Sequence, residues 1–291
     1  GQDEPVIWLY LAQAYFGQQQ YSQTLNALDR AGPEATRVPS VFLMRAQAHW
    51  ELEQFPEAWR VLGQGREAFP DRASEFARRQ VFLLVDQGLY QEAADQGLAF
   101  LETEQATVGD AVAIGNALRE TGQYRQAAII LEKARLGAPD NADLGKVLAH
   151  VYLSQEQTLA AAEVMRRAAL ADPELVTDAA ELFRRAGWLV QALTLNAQVL
   201  DQAKKLKQRL AILLEMNRFE QAAGMGTDLE RAGLLGDEDI RYALAYALFK
   251  AGRFDESEQH LQQLTRSDLF RRAVELRRAM EQCADSPWMC A

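Results

Sequence analysis

The segment YRQAAIILEKARLGAPDN, residues 124–141, places apolar side chains at the spacing of an α-helix. Tyr124 is followed by Ala127 and Leu131 at steps of three and four residues, and Pro139 ends the pattern. The polar residues between them would form the opposite, solvated face of the helix. The pattern therefore predicts an amphipathic helix that begins near Tyr124 and ends before Pro139.

The same arrangement recurs along the chain. In the clearest copy Gly122 provides the turn, Tyr124 follows two residues later and the small residue Ala127 three residues after that. The third copy is weaker, because Gly97 stands where a large apolar residue is expected. One helix pair cannot bury its own apolar stripe, so successive pairs are expected to stack and share a core. The central positions of the eight copies, 30 to 35 residues apart, are Tyr21, Phe55, Tyr90, Tyr124, Thr158, Leu189, Phe219 and Phe254.

The copies resemble the tetratricopeptide (TPR) repeat family over essentially the whole chain. The best match, AIGNALRETGQYRQAAIILEKARLGAP, has the residues of the 34-residue helix-turn-helix signature, with Ala111 in place of its tryptophan. The resemblance implies an all-α, right-handed superhelical solenoid of about eight helix pairs, forming one domain over residues 1–291. We expect the repeats to start near residues 5, 39, 74, 108, 142, 173, 203 and 238, with a capping helix over 268–283 and a tail over 284–291.

Composition and charge narrow the classes of partner. The chain has 291 residues, 48% of them hydrophobic and 25% charged, which is ordinary for a globular protein. Its formal net charge of −10, without a segregated basic stripe, argues against binding nucleic acid. No stretch approaches the roughly 18 apolar residues that a membrane span needs, so we expect no direct span in this chain. The opening residues, GQDEPVIW, lack a methionine and a charged, apolar leader, which indicates a processed or trimmed chain.

The sequence contains no pattern typical of a catalytic or metal site. His49, His150 and His260 lie in different repeats and belong to no metal-binding motif. Neither a phosphate-binding loop nor a dinucleotide-binding turn is present. We therefore predict a protein that is not an enzyme and has no catalytic residues, no metal and no cofactor.

The two cysteines, Cys283 and Cys290, flank the short segment ADSPWM just after the last predicted helix. This spacing permits a disulfide, which would tie the C-terminus to the capping helix and would persist in an oxidising compartment such as the periplasm. Two alternatives stay open: a pair of reduced cytosolic thiols, and a metal-binding pair that lacks further ligands.

In TPR proteins the first helix of each pair lines a concave groove that holds an extended peptide or a helix of a partner protein. Carried over to this chain, the resemblance implies an apolar and aromatic groove at both ends and a polar one in the middle. An alternative is that Phe16 and Trp50 only pack between neighbouring repeats. The candidate partner-binding residues are Tyr10, Phe16, Met44, Trp50, Asn116, Arg119, Tyr242, Tyr246 and Phe249.

The C-terminal third shows a narrower resemblance. LLGDEDIRYALAYALFKAGRFDESEQHLQQL and LFRRAVELRRAMEQCADSPWMC are similar to repeat proteins that accompany the TonB–ExbB–ExbD system of Gram-negative bacteria. The resemblance implies a periplasmic adaptor with TonB/ExbB/ExbD-type envelope partners. The alternatives are an accessory subunit of an exopolysaccharide or outer-membrane assembly complex, and a cytoplasmic regulator that binds a signalling peptide.

Overall fold

A computed structural model describes residues 5–103 and 106–285, with side chains up to residue 283. Within these ranges the chain forms helices, turns and loops, and none of the residues lies in a β-strand. The all-α fold class predicted from the sequence is therefore confirmed. The chain divides into two compact units, Gly1–Pro139 and Asp140–Ala291.

The first unit contains four helix pairs, in which each first helix packs against the second helix that follows it. Its helices are α1 (Pro5–Gly17), α2 (Tyr21–Arg30), α3 (Pro39–Glu51), α4 (Phe55–Ala68), α5 (Ala73–Asp86), α6 (Tyr90–Leu101), α7 (Val108–Glu120) and α8 (Tyr124–Gly137).

The second unit also contains four pairs, followed by one long terminal helix. In its third pair the second helix is divided into two short helices. The helices of this unit are α9 (Ala142–Ser154), α10 (Thr158–Ala168), α11 (Val176–Arg185), α12 (Leu189–Asn196), α13 (Gln202–Glu215), α14 (Phe219–Ala223), α15 (Gly226–Arg231), α16 (Glu238–Lys250), α17 (Phe254–Leu261) and α18 (Ser267–Asp285).

The turn within each pair has the same construction in both units. In the clearest repeat, Gly122 adopts a left-handed conformation with φ of 81°, and the next N–H, that of Gln123, donates to the Leu118 carbonyl at 2.8 Å. This is the Schellman type of helix end, which satisfies a carbonyl that the helix leaves unpaired. A left-handed residue stands two positions before the second helix in all eight pairs, at Gln19, Glu53, Gly88, Gly122, Glu156, Gly187, Asn217 and Gly252.

Small residues set the distance between the helices of a pair. A Cβ atom added to Gly145 would lie 2.6 Å from the Ala168 Cβ, and one added to Gly115 would lie 2.6 Å from Leu131. Real Cβ atoms do not approach so closely, so α9 and α10, like α7 and α8, pack at a spacing that requires glycine. The pairs therefore bury their apolar stripes through close backbone approach.

Helix α18 closes the second unit. Leu269, Leu276 and Met280 are buried against Ala245 and Leu261 from the last helix pair. The exposed arginines of α18 lie on its other face, as expected for a capping helix. Cys283 is buried near its end, but Cys290 lies outside the described residues, so the disulfide stays a prediction.

Candidate protein-binding surface

Four consecutive first helices of the first unit, α1, α3, α5 and α7, line a cleft of about 460 Å³. We call it the first-helix cleft. Its residues are Phe16, Ser40, Leu43, Met44, Gln47, Glu75, Arg78, Arg79, Phe82 and Ala113.

The helical period explains why these side chains meet. The cleft residues of α3 occupy positions i, i+3, i+4 and i+7, and those of α5 follow the same spacing, so each helix contributes one stripe of its surface. Parallel stripes from stacked first helices then form the wall of a continuous cleft. The large apolar side chains in it are Phe16, Leu43, Met44 and Phe82.

Two of the three charged residues in the cleft are paired within the unit. The Arg78 guanidinium lies 3.1 Å from the carboxylate of Asp110, whose side chain is buried, and Glu75 accepts from Arg72 at 2.7 Å. Arg79 forms no hydrogen bond or ion pair with another described residue. Burial raises the pKa of the Asp86 carboxyl on the same helix, and the charge of Arg79 offsets part of that rise. Asp86 is therefore a nearby negative charge for Arg79, but Arg79 has no partner at ion-pair distance among the described residues, and an anionic group in the cleft could pair with it.

Gln47 supplies a hydrogen-bond acceptor. Its Nε2 donates to the Glu51 carboxylate at 2.5 Å, which orients the amide. Its Oε1 is buried and has no hydrogen-bond partner among the described residues. Because a buried carbonyl without a donor is costly, a partner N–H that reached Gln47 Oε1 would be favoured.

The structure places the N-terminal candidates in three different environments. Phe16 and Met44 line the first-helix cleft. Tyr10 is 69% exposed and is not among the cleft residues. Trp50 packs against Phe55, with ring centroids 4.5 Å apart, and lines a separate cleft of about 310 Å³. Of these four candidates, Phe16 and Met44 are the two that line the first-helix cleft.

The middle candidates, Asn116 and Arg119, contact each other on α7. The Arg119 guanidinium donates to Asn116 Oδ1 at 2.9 and 3.1 Å, and Asn116 Nδ2 donates to Glu120 at 3.0 Å. Their hydrogen-bonding groups thus engage one another along the helix, while Ala113 is the α7 residue that lines the cleft.

The candidates of the second unit lie beside the capping helix. Tyr242 and Phe249 pack against the buried cluster that includes Leu269 of α18. Burial raises the pKa of the Tyr242 phenol. Tyr246 is 36% exposed, and its ring lies 6.1 Å from that of Phe219. Partner binding by these three residues stays a prediction, and two of them already contribute to the core of this unit.

Sequence reasoning missed the contribution of the third repeat. Glu75, Arg78, Arg79 and Phe82 all come from α5. The signal was the continuation of the i, i+3, i+4, i+7 stripe from α3 into α5, which Gly97 obscures by weakening the repeat signature there.

Metal binding and membrane insertion find no support in the part of the chain that the structure describes. No group of three His, Cys, Asp or Glu side chains in residues 5–103 and 106–283 is arranged to hold a metal ion. Over the same described residues, every helix is too short or too polar to cross a bilayer.

No family model matches this chain, and no curated protein matches it. Among solved structures, the complex described as Naa15/Naa10 bound to HypK-THB aligns with 94% of the chain at 14% identity and a TM-score of 0.54. The chain spans 44% of that protein's length. This similarity concerns the fold, and it agrees with the eight helix pairs and their signature residues. The chain has a tetratricopeptide-type repeat fold.

Two further solved structures align over a smaller share of the chain. A TPR repeat-containing protein from Cytophaga hutchinsonii aligns with 82% of this repeat chain and 95% of its own length, at 13% identity and a TM-score of 0.48. MamA from Desulfovibrio magneticus aligns with 56% of this chain and 93% of its own, at 21% identity and a TM-score of 0.38.

Proposed function

We propose that the protein is a non-enzymatic scaffold that holds a segment of a partner protein in the first-helix cleft. The observation that carries this proposal is the cleft itself, in which four repeats combine large apolar side chains with an unpaired cation and an unpaired acceptor. Apolar anchors in a concave site tend to concentrate the binding energy of a protein interface. The repeat fold supports the same function, because the similar solved structure, Naa15/Naa10 bound to HypK-THB, is a complex of proteins.

The lining of the cleft indicates what the partner segment carries. An apolar side chain fits against Phe16, Met44 and Phe82, a backbone N–H faces Gln47 Oε1, and a carboxylate faces Arg79. A short peptide or helix with an aliphatic or aromatic residue close to an acidic one meets all three conditions.

The cellular compartment and the identity of the partner are a separate part of the proposal. We place the protein in the periplasm, with TonB/ExbB/ExbD-type proteins as partners, because of the C-terminal resemblance and the disulfide predicted between Cys283 and Cys290. An exopolysaccharide or outer-membrane assembly complex is the alternative setting. The first-helix cleft would serve a partner segment in either complex.

A photo-crosslinking experiment tests the cleft directly. A benzophenone amino acid replaces Met44 in one variant and Leu136, which is 85% exposed at the end of α8, in a second. We expect position 44 to crosslink a specific protein from envelope extracts, and we expect Phe82→Ala to reduce that product at least tenfold. Equal crosslinking from both positions, or a product unaffected by Phe82→Ala, would rule out the cleft as the binding site.

A further inference from the structure

A second cleft lies where the second repeat meets the third. Its volume is about 310 Å³, and it shares no residue with the first-helix cleft. It includes Trp50, a sequence candidate that the first-helix cleft does not contain. We call it the aromatic cleft. Its apolar rim consists of Trp50, Phe55, Pro56, Trp59 and Leu89.

This rim offers apolar surface to a ligand. Leu89 is 55% exposed and Pro56 is exposed as well, whereas the three aromatic side chains are half-buried. Leu83 and Leu84 lie beneath them and are almost completely covered, so the area available for contact belongs to the rim. Aromatic rings with one accessible edge or face are typical anchors of protein interfaces.

Packing within the unit holds the aromatic rings of the rim in place. The rings of Trp50 and Phe55 lie 4.5 Å apart between centroids, with their planes inclined by 58°. Trp50 also packs against the buried cluster that includes Leu62 and Leu83. A ligand that binds such fixed rings costs them little conformational freedom.

Two hydrogen-bond donors of the rim lack partners. Neither the Trp50 nor the Trp59 indole N–H donates to another described residue, and neither nitrogen is fully buried. Both can therefore donate to a ligand. Because an indole has a donor and no acceptor, a ligand that satisfies both groups must supply acceptors such as backbone carbonyl oxygens.

The charge of the aromatic cleft narrows the kind of ligand. Glu92 is the one charged residue in its lining, and its carboxylate accepts from Gln96 Nε2 at 2.8 Å. An anionic ligand would meet a like charge there and would find no cation to pair with. The lining thus suits an uncharged segment, whereas the first-helix cleft, with Arg79, suits an acidic one.

These properties favour an extended proline-rich segment over a helix. A helix uses all but its last carbonyl oxygens in its own hydrogen bonds, whereas a polyproline II segment has no internal hydrogen bonds and presents every carbonyl. Proline also adds an apolar ring and has no N–H, so it brings no donor that the cleft would have to satisfy. Aromatic-lined grooves are a general means of binding such segments.

We propose that the aromatic cleft binds a proline-rich protein segment in the polyproline II conformation. The proline rings lie against Trp50, Trp59 and Leu89, and the two indole N–H groups donate to backbone carbonyls of the segment. This site goes beyond the function proposed above and does not depend on it, because the two clefts have no residue in common.

Calorimetric titration of the full chain with decaproline tests the site. Decaproline is a polyproline II helix, and a Gly-Ser peptide of the same length is the flexible control. We expect saturable binding of decaproline at one site and at least tenfold weaker binding of the control. In proton–nitrogen correlation spectra the indole signals of Trp50 and Trp59 should shift during the titration, while those of Trp8 and Trp188 should not.

Three variants separate binding from folding. Trp50→Phe removes the N–H but keeps an aromatic ring, so it should weaken decaproline binding about three- to tenfold, the loss of one hydrogen bond. Leu89→Asp removes the exposed apolar contact and should weaken binding at least tenfold. Leu89 is the N-cap of α6, where aspartate is favoured, so the helical circular dichroism should stay unchanged. Trp188→Phe, at a 45% exposed position in the second unit, is the matched control and should leave the affinity unchanged.

Several outcomes would overturn the proposal. One is the absence of saturable decaproline binding to the native chain, and another is equal binding of the Gly-Ser peptide. A third is an affinity that either Trp50→Phe or Leu89→Asp leaves unchanged. Displacement of decaproline by a lower concentration of a proline-free, apolar helical peptide would assign the cleft to helices instead.

Discussion

Two regions with similar first-helix patterns differ in what covers them. On α1 and α3 of the first unit, Phe16 and Met44 line an open cleft. On α16 of the second unit, Tyr242 and Phe249 lie against the cluster to which α18 contributes. Met44 also packs against a buried cluster, the one that includes Ala12 and Leu28, so the difference between the two regions is the cleft that Phe16 and Met44 line. An apolar groove position is informative about binding only when the neighbouring element that could cover it is known.

Introducing a carboxylate into each stripe should give the largest difference in stability between the two regions. Leu269→Asp introduces a carboxylate into the covered cluster, where Leu269 is 1% exposed, and should lower the free energy of unfolding by about 3 kcal/mol or more. Met44→Asp should cost less, about 1 to 2 kcal/mol, because Met44 is only half-buried where it packs against the cluster that includes Leu28. Urea denaturation followed by circular dichroism measures both. If the two variants lose equal stability, the contrast between covered and open stripes is wrong.

Two glycines on α4 show the same contrast between a filled and an open position, which adding one methyl group can test. A Cβ at Gly65 would overlap the buried ring of Phe76, whereas one at Gly63 would meet no atom within 4 Å. We expect Gly65→Ala to destabilise the protein by about 1 to 3 kcal/mol through overpacking. Gly63→Ala should stabilise it by about 0.5 to 1 kcal/mol, the helix-propensity gain. Thermal unfolding of the two variants checks this, and a loss of stability in Gly63→Ala would contradict the open space beside Gly63.

Substitutions in the turns should change stability by similar amounts in both units, because the turns have the same construction in both. Glu53 and Glu156 adopt φ of 58° and 61°, a conformation that costs a residue with a Cβ about 1 kcal/mol. Glu53→Gly and Glu156→Gly should therefore each stabilise the chain by a few tenths to about 1 kcal/mol, reduced by the greater freedom of glycine in the unfolded state. Gly122→Ala should destabilise it by a similar amount. Differential scanning calorimetry can resolve these shifts, and opposite signs for Glu53→Gly and Glu156→Gly would contradict a shared turn.

The smallest effect should appear at high pH. Burial raises the pKa of Tyr242 above its ordinary value of about 10, so the folded state holds this proton more tightly than the unfolded state does. Its contribution to stability is full below pH 10 and is lost as the pH rises through the folded-state pKa. Tyr242→Phe should therefore flatten the decline of stability above pH 10. Tyr10→Phe, at an exposed position, is the control, and an identical pH dependence in both variants would place Tyr242 in solvent.

Much of the local structure could be predicted from the sequence. The second helix of every pair begins at the predicted central residue, from Tyr21 to Phe254. Helix period and turn position are local properties, so a repeat makes them visible eight times over. The left-handed turn residues could be predicted only in part. Glycine is the residue type that favours this conformation, so Gly122 indicates a turn. Gln19, Glu53 and Glu156 adopt the same conformation because the packed helices on either side impose it.

The tertiary structure alone decided which apolar and polar residues remain available to a partner. The sequence determined that Met44 and Tyr242 both lie on first helices. Whether α18 covers a stripe and whether Arg78 finds the carboxylate of Asp110 depend on distant segments of the chain. Helix period specifies the direction of a side chain, whereas burial and pairing depend on what packs against it, and that information is not local.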